Sequence, residues 1–255
     1  MSVAVGSPSL TARLAVRERP KHRPPVMYQS WRDLLFLHWV VEPDIIQSTL
    51  PPGLHVDTFD GRAYLGVVPF FMCNIRPRFC PAVPAISNFL ELNLRTYVYN
   101  DRGLTGVWFY SLDASQKLAV KVARTFFKLP YYHAQMQAER DLYNQIHYTS
   151  RRYGAQIDTL SRFRYAPYGS PRVAEPGSLE FFLVERYVLF AYDLERKKLF
   201  SGRVYHLPYL ITEASVSVWS DQLWSLADFE RPGRLPDHSL FSPGVDVDVF
   251  AIEAA

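Results

Sequence analysis

The 255-residue sequence predicts a β-rich α+β fold, and three observations carry that reading. Residues 89–99 alternate strictly. Leu90, Leu92, Leu94, Thr96 and Val98 take one face and Phe89, Glu91, Asn93, Arg95, Tyr97 and Tyr99 the other, the two-residue period of a strand. Short β-branched and aromatic runs recur along the chain, separated by turn signals such as Asp60-Gly61-Arg62 and Asn100-Asp101-Arg102-Gly103. Helical periodicity is sustained longest over residues 114–128, with only short segments elsewhere.

In chain order, residues 1–27 hold Arg13, Arg17, Arg19, Lys21 and Arg23 against Glu18 and have no periodic apolar positions, so they predict a flexible basic tail containing proline. The net charge of +3 resides in that tail. Without aromatic interleaving or a binding motif, the tail predicts a solvated segment and no nucleic-acid partner. Residues 28–255 predict one domain, since a chain 48% hydrophobic and 15% aromatic buries a large core. An apolar run over 31–41 contains His38, and Glu42-Pro43-Asp44 opens a short helix ended by Pro51 and Pro52. Residues 54–59 and 63–72 predict a hairpin, and residues 89–99 and 107–113 predict another about Gly103. Asp113 is expected to cap a helix over 114–128, with Leu118, Val122 and Phe126 on its apolar face, Lys117, Lys121, Arg124 and Lys128 on the other, and Pro130 as its stop. Residues 146–153 and 160–165 predict a hairpin about Gly154, Ala155 and Gln156, and Ser178 opens a short amphipathic segment. Residues 187–192 and 202–209 pair across a charged turn, residues 214–229 read as strand then helix, and residues 245–252 form a last strand.

The chemistry concentrates in residues 87–136. The odd face of 89–99 carries an acid, an amide, a base and two phenols at about 7 Å spacing, and would line a polar pocket or face water. If Tyr99 pairs with Leu104, then Glu91, Asn93 and Arg95 oppose Leu112, Tyr110 and Trp108, which supplies an aromatic wall. A slip of one residue substitutes Asp113, Ser111 and Phe109. His38 reads either as a core residue with a hydrogen-bonded ring or as a pocket residue. Cys73 and Cys80 are too far apart for a CxxC pair and predict buried thiols. No apolar run approaches 18 residues, so the chain is expected to be soluble and cytoplasmic, without a membrane partner. No nucleophile elbow, phosphate loop, dinucleotide fingerprint or metal-ligand spacing occurs, and neither cofactor nor metal is expected.

Six segments occurring in order, WRDLLFLHW, PPGLHVDTFDG, FLELNLRTYV, GVWFYSLDA, ARTFFKLPYY and LVERYVLF, resemble the YqjF-like family of uncharacterised bacterial proteins, the DUF2071 group, over residues 28 to the carboxyl end. That family is similar in fold to acetoacetate decarboxylase, so the resemblance implies an antiparallel cone-like barrel around a small-molecule pocket. Those decarboxylases carry a Tyr-x-Glu strand motif, a Gly-Arg-Glu helix and a Pro-Lys-Lys whose first lysine forms the Schiff base. Here Phe89-Leu90-Glu91, Ala123-Arg124-Thr125 and Pro130-Tyr131-Tyr132 stand in those places. Glu91 and Arg124 are retained, whereas tyrosines replace both lysines. A phenol does not condense with a ketone, so imine chemistry is not expected at that place.

The implied site has Glu91, Arg124, Tyr131 and Tyr132 as catalytic candidates, and Arg95, Tyr97, Asn93, Trp108, Tyr110 and His38 as ligand-binding ones. Glu91 with an arginine would form its polar end. Three classes stay open: an enzyme acting on a carbonyl or carboxylate compound without a lysine Schiff base, a non-catalytic small-molecule binding protein, and a scaffold. The residues do not set the oligomeric state.

Overall fold

Alternation and β-branched content extend most of the chain, and the computed structural model describes residues 7–155 and 160–255. The elements run α1 (Leu10–Ala15), β1 (Met27–Val41), α2 (Pro43–Gln47), β2 (Leu54–Val56), β3 (Ala63–Pro77), α3 (Pro84–Ser87), β4 (Phe89–Asn100) and β5 (Thr105–Ala114). They continue α4 (Lys117–Phe126), β6 (Tyr131–Arg140), β7 (Ile146–Arg152), β8 (Ser161–Val173), α5 (Leu179–Val184), β9 (Val188–Asp193) and β10 (Lys198–Tyr205). Last come β11 (Leu210–Val218), α6 (Gln222–Ser225), β12 (His238–Val249) and β13 (Glu253–Ala254). The expected β-rich α+β architecture is present.

The strands pair into one sheet that closes on itself twice. The first ring runs β10-β9-β5-β4-β3-β1-β12 and is closed where Val204 of β10 meets Val249 of β12. The second runs β5-β6-β7-β8-β11-β12-β1-β3-β4 and shares β1, β3, β4, β5 and β12 with the first. The shared wall explains why β4 alternates between two buried faces. Leu92 and Leu94 pack with Leu35, Val67, Tyr148 and Phe163 inside the second ring. The odd-numbered side chains of β4 enter the first ring instead.

Several expectations are corrected. Residues 54–59 do not pair with residues 63–72. Strand β2 joins β4, with Leu54 opposite Asn100, and Phe59 and Arg62 make only an isolated bridge. Helix α4 starts three residues later than expected, and Gln116, not Asp113, caps it by accepting from the Leu118 amide. Asp113 stays in β5, where the Arg152 Nε donates to it at 2.9 Å. Strand β6 was not anticipated. It runs parallel to β5, so its pairing comes from a crossover and not from a local turn. Of the expected turn at Gly154, Ala155 and Gln156, Gln156 lies outside the described residues; the flanking β7 and β8 do pair, Ile146 opposite Tyr165. Cys80 is exposed and Cys73 half-buried, not the two buried thiols expected.

The amino-terminal segment from residue 7 is not a loose tail. Ser9 caps α1, and Arg13 reaches the fully buried Asp57 through two hydrogen bonds of 2.5 and 2.6 Å. Arg19 pairs with Asp248 and Arg23 with Glu253, and Arg203 donates to the carbonyls of Val16 and Glu18. Arginines that composition reads as solvated charge are spent here on carboxylates distant in sequence.

Candidate functional site

A cavity of about 460 Å³ lies within the first ring. Its walls are mainly apolar, from Trp31 on β1, Phe70 and Met72 on β3, Val107 and Phe109 on β5, and Val204 on β10. Helix α4 turns Leu118, Val122 and Ala123 toward it. The chief polar side chains entering are Glu91, Arg95, Tyr131, Arg186 and Tyr209.

Glu91 is buried, and its Oε2 accepts a 2.7 Å hydrogen bond from the Tyr131 hydroxyl. Asn93, two residues along the same face, donates weakly to Oε1 at 3.4 Å. Burial pushes the Glu91 carboxyl up to about 7, the hydrogen bonds from Tyr131 and Asn93 oppose that rise, and the charge of Asp113 adds to it. Burial together with the adjacent Glu91 holds the Tyr131 phenol well above its ordinary range, so it stays a donor. The charge acting on Glu91 is that of Asp113, an acid, and among the described residues the expected pairing of Glu91 with an arginine is not found.

The guanidiniums collect farther along β4. Arg95 donates to the Leu183 carbonyl at 3.2 Å and lies 5.7 Å from the Tyr97 ring centroid. Arg186 lies 4.8 Å from the same ring. Its Nε donates to the Phe182 carbonyl at 2.7 Å and its Nη1 to Asp57 at 2.8 Å, which leaves a buried Nη2 without a partner among the described residues. Asp57 is thus clamped between Arg13 and Arg186, and it fixes the second guanidinium at the cavity wall.

The hairpin register decides which aromatics face the cavity. Tyr99 opposes Thr105 and Arg95 opposes Phe109, but Leu94 opposes Ser111, so Tyr110 is an extra residue at a bulge. The turn half thus follows the slipped register considered from sequence, and beyond the bulge Asn93 and Glu91 oppose Leu112 and Ala114, one step further than either register considered. Phe109 and Leu112 therefore face inward. Trp108 and Tyr110, expected in the pocket, instead line an open groove on the outer side, where the Tyr110 hydroxyl meets that of Thr49 at 2.7 Å.

Two catalytic candidates also fall outside. Arg124 is exposed on the outward side of α4 and lines the same outer groove. Tyr132 is exposed, with the Arg152 guanidinium 3.9 Å from its ring, because adjacent residues of β6 point to opposite sides. His38 and Tyr97 are wholly buried and share a 2.6 Å hydrogen bond, Nε2 to hydroxyl. Burial drives His38 well below its ordinary range, so it is a neutral interior residue, and neither it nor Tyr97 opens onto the cavity. Asn93 reaches the site only through Glu91.

Sequence reasoning missed Arg186, Asp57 and Arg13. The signal for the first was present, since Glu185-Arg186 is a charged pair inside the apolar run LVERYVLF. Among the described residues no three His, Cys, Asp or Glu side chains gather to hold a metal, no lysine lines the cavity, and no helix is long and apolar enough to cross a membrane.

A ring of strands around an apolar cavity with a buried carboxyl defines a protein of the acetoacetate decarboxylase-like fold. Acetoacetate decarboxylase from Legionella pneumophila superposes with a TM-score of 0.64 at 12% identity, over 100% of this chain and 98% of that one. An acetoacetate decarboxylase-like enzyme from Sphingomonas wittichii RW1 gives 0.60 at 15% identity over 91% and 93%. The enduracididine biosynthesis enzyme MppR, complexed with pyruvate, gives 0.61 at 12% identity over 93% of each chain. Within that fold the chain belongs to the DUF2071 family, described as an uncharacterized conserved protein, which it matches over residues 28–246. The uncharacterized protein YqjF of Bacillus subtilis (strain 168) is 42% identical over 197 residues, 76% of this chain and 78% of its own.

Proposed function

We propose that the cavity binds a small molecule bearing a carboxylate and a carbonyl, and that the Glu91–Tyr131 pair moves a proton on the carbon next to that carbonyl without forming an imine. The observation that carries this reading is a buried carboxyl poised near neutrality, hydrogen-bonded to a phenol and open to an apolar cavity. A carboxyl near 7 is part ionised at neutral pH, so it takes a proton and returns it with little penalty. As Glu91 takes the substrate proton its demand for the Tyr131 hydrogen bond falls, and the phenol turns its proton toward the developing enolate oxygen. Arg95 and Arg186 supply the charge that anchors the carboxylate. Binding of pyruvate by MppR, which shares the fold at low identity, adds an analogy for the ligand class.

The test is exchange of the protons beside the carbonyl in deuterated buffer, followed by NMR over a panel of oxo acids. Exchange that Glu91→Gln abolishes while binding persists is the expected result. Binding without exchange by the wild-type chain would make the protein a carrier and not an enzyme.

A further inference from the structure

The cavity has two polar ends, and their separation selects among carbonyl carboxylates. Glu91 and Arg95 stand on one face of β4, four residues and therefore about 13 Å apart along the strand. Side chains on one face stand roughly parallel, and the Arg95 guanidinium lies 5.4 Å from the Phe36 ring and 5.7 Å from that of Tyr97. Arg186 approaches that same ring at 4.8 Å, so the two guanidiniums form one cationic end around Tyr97. At the other end Glu91 and Tyr131 sit beside Phe89, which packs with Phe127 and Ala123 where α4 covers the ring. Apolar wall lies between, including Phe70, Val107 and Phe109.

A 2-oxo acid places its carbonyl one bond from its carboxylate and cannot occupy both ends at once. Resting on the carboxylate reading above, we infer that the ligand is a medium-chain oxo acid whose carbonyl is separated from the carboxylate by an apolar chain. Allowing hydrogen-bond contacts at each end, the spacer is about five to seven carbon–carbon bonds. The carboxylate meets Arg95 and the unpartnered Nη2 of Arg186, the methylenes lie on the apolar wall, and the carbonyl reaches the Tyr131 hydroxyl.

The test is titration calorimetry on the full chain with 8-oxononanoate, its isomer 2-oxononanoate, pyruvate and uncharged 2-nonanone, repeated with Arg95→Gln and Arg186→Gln. The expected result is at least tenfold tighter binding of 8-oxononanoate than of the 2-oxo isomer or pyruvate, lost in either arginine variant of unchanged circular dichroism. The two oxononanoates share composition and charge, so that ratio reads spacing alone. If 2-oxononanoate or pyruvate binds equally or better, and Arg95→Gln weakens it, the spacing is overturned while the carboxylate reading stands. If 2-nonanone binds as well as 8-oxononanoate, or no probe binds below millimolar concentration, the carboxylate reading falls and the spacing with it.

Discussion

The Tyr131 hydroxyl donates to Glu91 Oε2 at 2.7 Å across a separation of forty residues, and it does so because β6 runs parallel to β5 beside β4. The strand that carries Tyr131 and the strand that carries Glu91 both flank β5, so one phenol faces one buried carboxyl on the cavity wall.

Glu91 sets a pH dependence of stability. Its carboxyl rises from 4.5 to about 7 on folding, so the folded chain holds a proton that the unfolded chain releases between those values. The stabilising contribution is present below the lower value and is lost as pH rises through about 7, on the order of 3 kcal/mol. Urea unfolding of wild type and Glu91→Gln from pH 4 to pH 8 should show that the variant lacks this decline. An equal slope in both proteins would assign the decline elsewhere.

Asp57 is predicted to be worth more than either arginine that holds it. Arg13→Gln removes one of two cations and should cost about 1 to 3 kcal/mol. Asp57→Asn leaves both Arg13 and Arg186 without their carboxylate and should cost about 3 to 5 kcal/mol. Chemical denaturation orders the two, and a near-neutral Arg13→Gln would mean that the docked amino-terminal segment adds nothing to stability.

Borohydride trapping with acetoacetate should give no stable mass adduct, because Tyr131 and Tyr132 follow Pro130 and no lysine lines the cavity among the described residues. Lys128 lies outside, 3.7 Å from Asp193, and Lys121 is exposed on α4. An adduct localised to either residue would restore imine chemistry.

Gly106 lies at a tight seam of the first ring. A Cβ there would stand 2.6 Å from the Val188 carbonyl and 2.8 Å from Phe190, at the seam where β5 meets β9. Gly106→Ala should therefore lower stability more than Gly66→Ala, whose Cβ has its nearest contacts with the His38 ring and the Tyr97 hydroxyl at 3.1 to 3.4 Å. Melting temperatures compare them directly, with Gly66→Ala as the milder of the two.

Local pattern determined what local physics controls. The two-residue period of β4 put Glu91 and Arg95 on one face, the turn at Gly103 joined β4 to β5, and Ser178 capped α5 by accepting from the Phe181 amide. The run Pro130-Tyr131-Tyr132, which carries no lysine, was likewise legible in the sequence. Tertiary structure decided the rest, because it depends on partners far apart in the chain. The turn register that sets Tyr99 opposite Thr105 put Phe109 inward and left Trp108 outside, and one extra residue, Tyr110, then brought Leu112 to the inner face, since one step of register reverses every side chain beyond it. That α4 presents its apolar side to this cavity, and so leaves Arg124 exposed, depends on where the helix docks. Arg186 became the second cation of the site only when Asp57, 129 residues away, was folded against it, and the basic start of the chain became structure only when Arg13 met that same carboxylate. A charge reads as solvated until a buried counter-charge is brought to it, and only the closure of the strands brings it.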